Sequence, residues 1–222
     1  EKSTRPEIAY AVHQCARFSQ EPKALHTQTV KYIGRYLAGT REKGITLDPK
    51  DQEFTCYVDA DFAGNWDKTR AAGNPMMTKS RTRYVIMYGR CLLLWCSKLQ
   101  TEVTLNTTEA EYIALSQALQ DVIPFIQMMD ELCDNKFLKN SPKPLIQCKL
   151  FEDNSGVLEL AECPKMRPCT RHINCKYHHF RLWVSSGSIL VQAISTAKQA
   201  ADIFTKPLSD ALFRQHCEVI SM

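Results

Sequence analysis

A chain of 222 residues, 44% hydrophobic and 23% charged, has the composition of a soluble globular protein and room for one large domain or a small domain with an appendage. No apolar run is long enough to cross a bilayer, so no membrane partner is expected, and the net charge of +4 is too mild to name a partner by itself. The polar opening EKSTRPEIAY lacks both a secretory layout and a Met, so the chain reads as part of a longer product, and its ten cysteines lack the density of a secreted disulfide framework, which points to a reducing compartment.

The first fifty residues are predicted helical. Pro6 suits a first helical turn behind Ser3 or Thr4, and Ile8, Ala11, Val12, Cys15 and Phe18 recur at helical spacing. A second stripe, Leu25, Val30, Ile33 and Leu37, stops at Gly39; the two helices should pack as a pair on a neighbour. From Glu53 the period changes: Phe54, Cys56 and Val58 alternate with Thr55 and Tyr57 as in a strand that ends at Asp59. After a loop from Asp61 to Pro75, two strands, Tyr84–Tyr88 and Cys91–Cys96, flank a two-residue turn at Gly89-Arg90. A helix should start near Asn106, with Pro124 kinking or ending it and more helix through Leu132. Leu145–Phe151 reads as a strand ending near Asp153, followed by a short helix and a longer one from Thr170 to Val184. Ser188–Ile194 is a last strand, Lys198–Thr205 a helix carrying Asp202, and a terminal helix starts at Ser209. Three strands, helix, strand, helices, strand and helix make an α/β arrangement, a mixed sheet with helices packed on it.

Four acids fall at element ends: Asp59, Glu111, Asp153 and Asp202. Each alone reads equally as a cap or a surface charge. Together, without His or thiolate, four carboxylates suit a hard cation such as magnesium, which takes oxygen ligands and works with phosphates. Two such ions can activate a water and stabilise a leaving oxygen in phosphodiester cleavage. Between Cys163 and Arg181 lie Lys165, Arg167, Arg171, Lys176 and Arg181 with three His and no acid, a run that suits a phosphate backbone or a solvated helix face.

YVDADFAG (57–64), SKLQTEVTLNTTEAEYIAL (97–115), FEDNSG (151–156), RHINCKYHHFR (171–181) and ADIFTKPL (201–208) together resemble the ribonuclease H region of copia-class retrotransposon polyproteins. STRPEIAYAV (3–12) with VKYIGRYLAGT (30–40) is similar to the segment that ends the reverse transcriptase in the same polyproteins. The resemblance implies residues 1–50 as the helical end of a reverse transcriptase. It implies residues 51–222 as a ribonuclease H domain, a mixed five-stranded sheet with flanking helices. It implies an Asp59, Glu111, Asp153 and Asp202 tetrad holding two magnesium or manganese ions, with no small-molecule cofactor. The activity implied is hydrolysis of the RNA strand of RNA–DNA hybrids, leaving 5′ phosphate and 3′ hydroxyl ends. The partners implied are the hybrid and the remainder of the polyprotein, in a cytoplasmic virus-like particle or the nucleus. Thr107, Thr108, Asn154 and Ser155 flank the acids and suit contacts to 2′-hydroxyls, as they also suit helix caps; Lys165, Arg167 and Arg171 suit the phosphates.

Two departures from the family pattern stand out. Arg83 takes a usual Gly position, where a positive φ would strain it, and the loop 195–200 has no His. Three other readings fit the sequence less well, and no polymerase activity is expected of the chain alone. Tyr57-Val58-Asp59-Ala60-Asp61 resembles a polymerase signature but lacks adjacent Asp residues. Cys163, Cys169, His172, Cys175 and His179 offer zinc ligands at a spacing that matches no common finger. An inactive copy would serve as a nucleic-acid-binding or assembly module.

Overall fold

The computed structural model describes residues 3–64, 66, 68, 75–135, 147–162, 179–204, 208–220 and 222. Five strands form one mixed sheet: β1 (Phe54–Asp61), β2 (Arg81–Tyr88), β3 (Cys91–Leu99), β4 (Cys148–Glu152) and β5 (Ile189–Ala193), in the order β3-β2-β1-β4-β5. The first three are an antiparallel meander, and β4 and β5 add to the other side of β1 in parallel. The β2–β3 turn is the expected two-residue one: Gly89 and Arg90 both have positive φ, +58° and +66°, as a hairpin turn matched to strand twist requires.

Alternation along the strands divides the core in two. Cys56, Val58 and Ala60 of β1 and Tyr84 and Ile86 of β2 meet helix α3 (Thr107–Asp134) and helix α4 (Ser155–Glu162). Val85 and Met87, the other parity, meet Ala201, Ile203 and Phe204 of a 3-10 turn and Cys217 and Ile220 at helix α6 (Asp210–Val219). Ala9 joins this second cluster, so helix α1 (Ala9–Ala16) is seated on the same face. Helix α2 (Ala24–Gly39) buries no residue and leaves Leu25, Val30 and Tyr32 more than half exposed.

Several expectations are corrected. β1 runs two residues past Asp59, which is therefore a strand residue paired across to Arg83. α3 passes through Pro124 unbroken: Leu119, Val122 and Ile126, each at most 1% exposed, hold both sides of it on the sheet, which outweighs the one backbone donor a proline removes. The stretch expected as one helix over Lys198–Thr205 is two 3-10 turns, Thr196–Lys198 and Ala200–Phe204. Gln199 between them is extended (φ −70°, ψ 100°), and its buried side chain donates to the Val58 carbonyl at 2.7 Å, a bond an unbroken helix would not allow. Of the helix expected from Thr170 to Val184, the described part is helix α5 (Arg181–Ser185). Arg83 lies in β2 and is not among the described non-glycine residues with positive φ, so the anticipated backbone strain does not arise.

Candidate metal centre

The first acid, Asp59, comes from β1, the central strand, on the parity that faces the 3-10 turn 200–204. Glu111 comes from the first turns of α3. Its register is set by Asn106, which as N-cap accepts the Glu109 backbone N–H at 2.8 Å, making Thr107 the first helical residue. Asp153 follows the last residue of β4, and Thr196 Oγ1 donates to its Oδ2 at 2.8 Å. Three elements thus deliver one ligand oxygen each from Asp59, Glu111 and Asp153, all within 4.8 Å of one another. Asp202 is buried at 7% exposure in the 3-10 turn 200–204 and stands outside that group of three.

Electrostatics at the cluster are unfavourable for an empty site. Glu111 is 6% exposed, and burial, then Asp153, then Asp59, push its carboxyl up to about 7 against an Asn154 hydrogen bond that pulls the other way. Its Oε2 is buried with no hydrogen-bond partner. An unpaired buried carboxylate oxygen is costly, and a cation beside it removes that cost. The donors are all carboxylate oxygen, which suits magnesium or manganese and not a soft metal.

Residues around the cluster fix it in place. Glu152, fully buried, accepts the Asp153 and Asn154 backbone N–H groups at 3.1 and 3.3 Å through Oε1, and its Oε2 is a second buried atom without a partner. Burial first, then Glu111, raises its carboxyl well above the usual range. Asn154 caps α4 by accepting from Gly156 N at 2.8 Å. A Cβ on Gly156 would come within 3.2 Å of Thr108, so Thr108 and Asn154 stand on either side of this glycine at the facing starts of α3 and α4. Thr107 and Ser155, the first residues of those helices, are exposed. Lys165, Arg167 and Arg171 lie outside the described residues, as do Cys163, Cys169, His172 and Cys175 of the zinc reading.

Arg83 is the largest electrostatic surprise. Its side chain is fully buried, with Nη1 3.1 Å from Asp59 Oδ2 and Nη2 3.0 Å from Asp61 Oδ2. Burial pushes the guanidinium down to about 10, opposed by Asp59 and Asp61. Sequence reasoning marked Arg83 only as a departure and did not single out Glu152, Thr196 or Gln199. The pairing of Asp59 with Arg83 was hidden because it needs the β1–β2 register. The available signal for Glu152 was an acid inside the otherwise apolar alternation Cys148, Leu150, Glu152.

No family model matches the chain. It is 33% identical over 220 residues to the retrovirus-related Pol polyprotein from transposon RE1 of Arabidopsis thaliana, and 32% identical over 219 residues to that from transposon TNT 1-94 of Nicotiana tabacum. Each match takes in 99% of this chain, which spans 14% and 15% of those relatives' lengths. Among solved structures it is similar to LC11-RNase H1, isolated from compost, with a TM-score of 0.46 and 20% identity over 69% of this chain and 93% of that one. At 32–33% identity along almost the whole of its length, the chain is a relative of one segment of the retrovirus-related Pol polyproteins of copia-type transposons.

Proposed function

We propose that the chain is a ribonuclease H that hydrolyses the RNA strand of RNA–DNA hybrids during reverse transcription of its element. The observation that carries the reading is the convergence of Asp59, Glu111 and Asp153 within 4.8 Å, with Glu111 Oε2 buried and unpartnered. Two magnesium or manganese ions held there would supply an activated water and charge stabilisation for the departing 3′ oxygen. Asp59, Glu111 and Asp153 are the ligands, and Asp202 joins them from the neighbouring turn. Thr196 holds Asp153 in orientation through its 2.8 Å hydrogen bond, and Glu152 pins the backbone on either side of the Asp153–Asn154 peptide. Thr107, Thr108, Asn154 and Ser155 line the approach and select RNA through its 2′-hydroxyls, while Lys165, Arg167 and Arg171 take the phosphates. Products carry 5′ phosphate and 3′ hydroxyl ends.

The deciding experiment is cleavage of a labelled RNA–DNA hybrid with and without magnesium, beside double-stranded DNA. Cleavage of the hybrid RNA alone, lost in chelator, is expected; equal cleavage of both duplexes, or full activity in excess chelator, sinks the reading. Neutralising Lys165, Arg167 and Arg171 together should weaken hybrid binding and lower the log–log salt slope by about one per lost phosphate contact. A second reading, an inactive copy that binds nucleic acid or serves assembly, is favoured by one observation: the Arg83 guanidinium on Asp59. Hybrid binding without cleavage at any magnesium concentration would select it.

A further inference from the structure

A positive charge already occupies part of the acid cluster. Arg83 and Asp59 are directly opposed across β1 and β2, so their side chains share a face of the sheet. The guanidinium forks between Asp59 and Asp61, two residues apart on one strand, at 3.1 and 3.0 Å. Asp61 is approached closely on one side, since a Cβ on Gly64 would lie 1.9 Å from its Oδ2, while its side chain keeps 30% exposure. One end of the fork thus rests on Asp61 and the other on an oxygen of Asp59, one of the three clustered acids. The arginine side chain is 0% exposed, so water does not screen it. A guanidinium stays charged at neutral pH and offers donors only.

We propose that Arg83 is a built-in competitor for divalent metal at Asp59, setting the metal concentration at which the centre loads. The proposal rests on the reading of Asp59, Glu111 and Asp153 as metal ligands. An ion ligated by Asp59 must either displace the guanidinium from Oδ2 or share the carboxylate with it. Sharing sets a single charge against a double one; at ~6 Å, and even at the dielectric constant of water, that repulsion lowers an association constant about tenfold. Displacement breaks the ion pair of a buried guanidinium with Asp59, which weakens loading in the same direction.

The test is manganese binding to the full chain without nucleic acid, read as the loss of the free-ion electron paramagnetic resonance signal. Arg83→Met keeps the buried stem and removes the charge; it should bind manganese about tenfold more tightly than the wild type. Arg83→Lys keeps the charge and should stay within about threefold of the wild type. A folded Arg83→Met with unchanged or weaker affinity overturns the proposal, as does an equal gain in Arg83→Lys, which would make packing the cause. Glu111→Gln separates this from the underlying reading: if it binds manganese as the wild type does, the metal centre itself is wrong, whatever Arg83 does. Should Arg83→Met fail to fold, the wild type carries the test. Its Arg83 side-chain nitrogen resonances should shift on titration with magnesium, and resonances unmoved at saturation overturn the proposal.

Discussion

The two faces of the sheet bury different things. Under α3 the core is apolar, with Cys56, Val58, Ala114, Leu115, Ala118 and Leu119 all at 0% exposure. The opposite face buries Arg81 and Arg83 at 1% and 0% exposure beside Asp59 and Asp61. Apolar burial needs only area and fit, and it holds under any ionic condition. Buried charge needs its partner in place, and removing one member of a pair costs more than the pair contributes. The acid cluster forms where the two faces meet: Glu111 comes from the helix on the apolar face, Asp59 from the charged parity of β1, and Asp153 from the end of the strand next door. The molecule thus puts its larger apolar cluster on one face and a mixed layer of apolar and charged side chains on the other, with the acid cluster at their border.

The sharpest way to break that division is Glu111→Gln. Glu111 sits on the helix of the apolar face, yet it should matter for chemistry and not for folding. Cleavage of the hybrid should fall about 10³-fold, equivalent to roughly 4 kcal/mol of transition-state stabilisation. The thermal midpoint in chelator should not drop, because the substitution removes a buried charge whose ionisation burial already opposes. A variant that loses its fold together with its activity would place Glu111 among the structural residues.

Leu115→Ala tests the other side of the division. Leu115 is fully buried in the cluster under α3, and truncation should cost about 3 kcal/mol in denaturant unfolding. Leu115 lies one helical turn from Glu111, but it packs into the apolar cluster and is not one of the three clustered acids, so manganese affinity of the folded fraction should stay as in the wild type. A coupled loss of manganese affinity would mean that the two faces are not independent.

Gln199→Ala acts on the border. Gln199 is fully buried and donates to the Val58 carbonyl, the residue before Asp59, while its own backbone accepts the Asp202 N–H at 3.1 Å. It therefore ties the turn that carries Asp202 to the strand that carries Asp59. Truncation leaves the Val58 carbonyl without that donor and should cost about 1–3 kcal/mol. If Asp202 joins the ligands, the cleavage rate should fall as well; full activity in a destabilised variant would leave Asp202 outside the site.

How much of this was legible in the sequence follows the range of the interactions. Local chemistry was readable. Asn106 and Ser209 are the N-caps their side chains fit, accepting from Glu109 N and Leu212 N. Gly89-Arg90 is the expected turn, and among the described residues the five strands lie within a few residues of where apolar runs, turns and, for the first, alternation put them. What depends on register was not readable. Alternation tells which face Arg83 takes once its strand is aligned, but not that Asp59 stands opposite. Nor does an acid in a strand announce that both its oxygens are buried, as those of Glu152 are, because burial depends on what packs above it. The motif match led to the carboxylates, whereas the groups that hold them, Thr196, Gln199 and Glu152, come from segments that acquire meaning only when folded.

The smallest effect separates two glutamates two positions apart. Glu109 and Glu111 are both buried, at 9% and 6% exposure, so burial does not tell them apart. The helical repeat does: two residues rotate a side chain by about 200° about the axis, so the two carboxylates leave α3 in nearly opposite directions. With Asn106 as N-cap, Glu109 is the third helical residue, and its Oε2 accepts the Leu105 N–H at 2.7 Å. This is one residue earlier than the Asn106 amide a capping box would use, and it satisfies a backbone donor all the same. A register two residues later, with Thr108 as cap and Glu111 as its capping-box partner, would turn Glu111 away from the cluster. Glu109→Ala should lower stability by about 1 kcal/mol, the usual scale of a cap. For a chain of this length that corresponds to about 2–4 °C in the midpoint. Its cleavage and manganese affinity should match those of the wild type. An active Glu111→Gln beside a folded but inactive Glu109→Ala would reverse the assignment of the two glutamates.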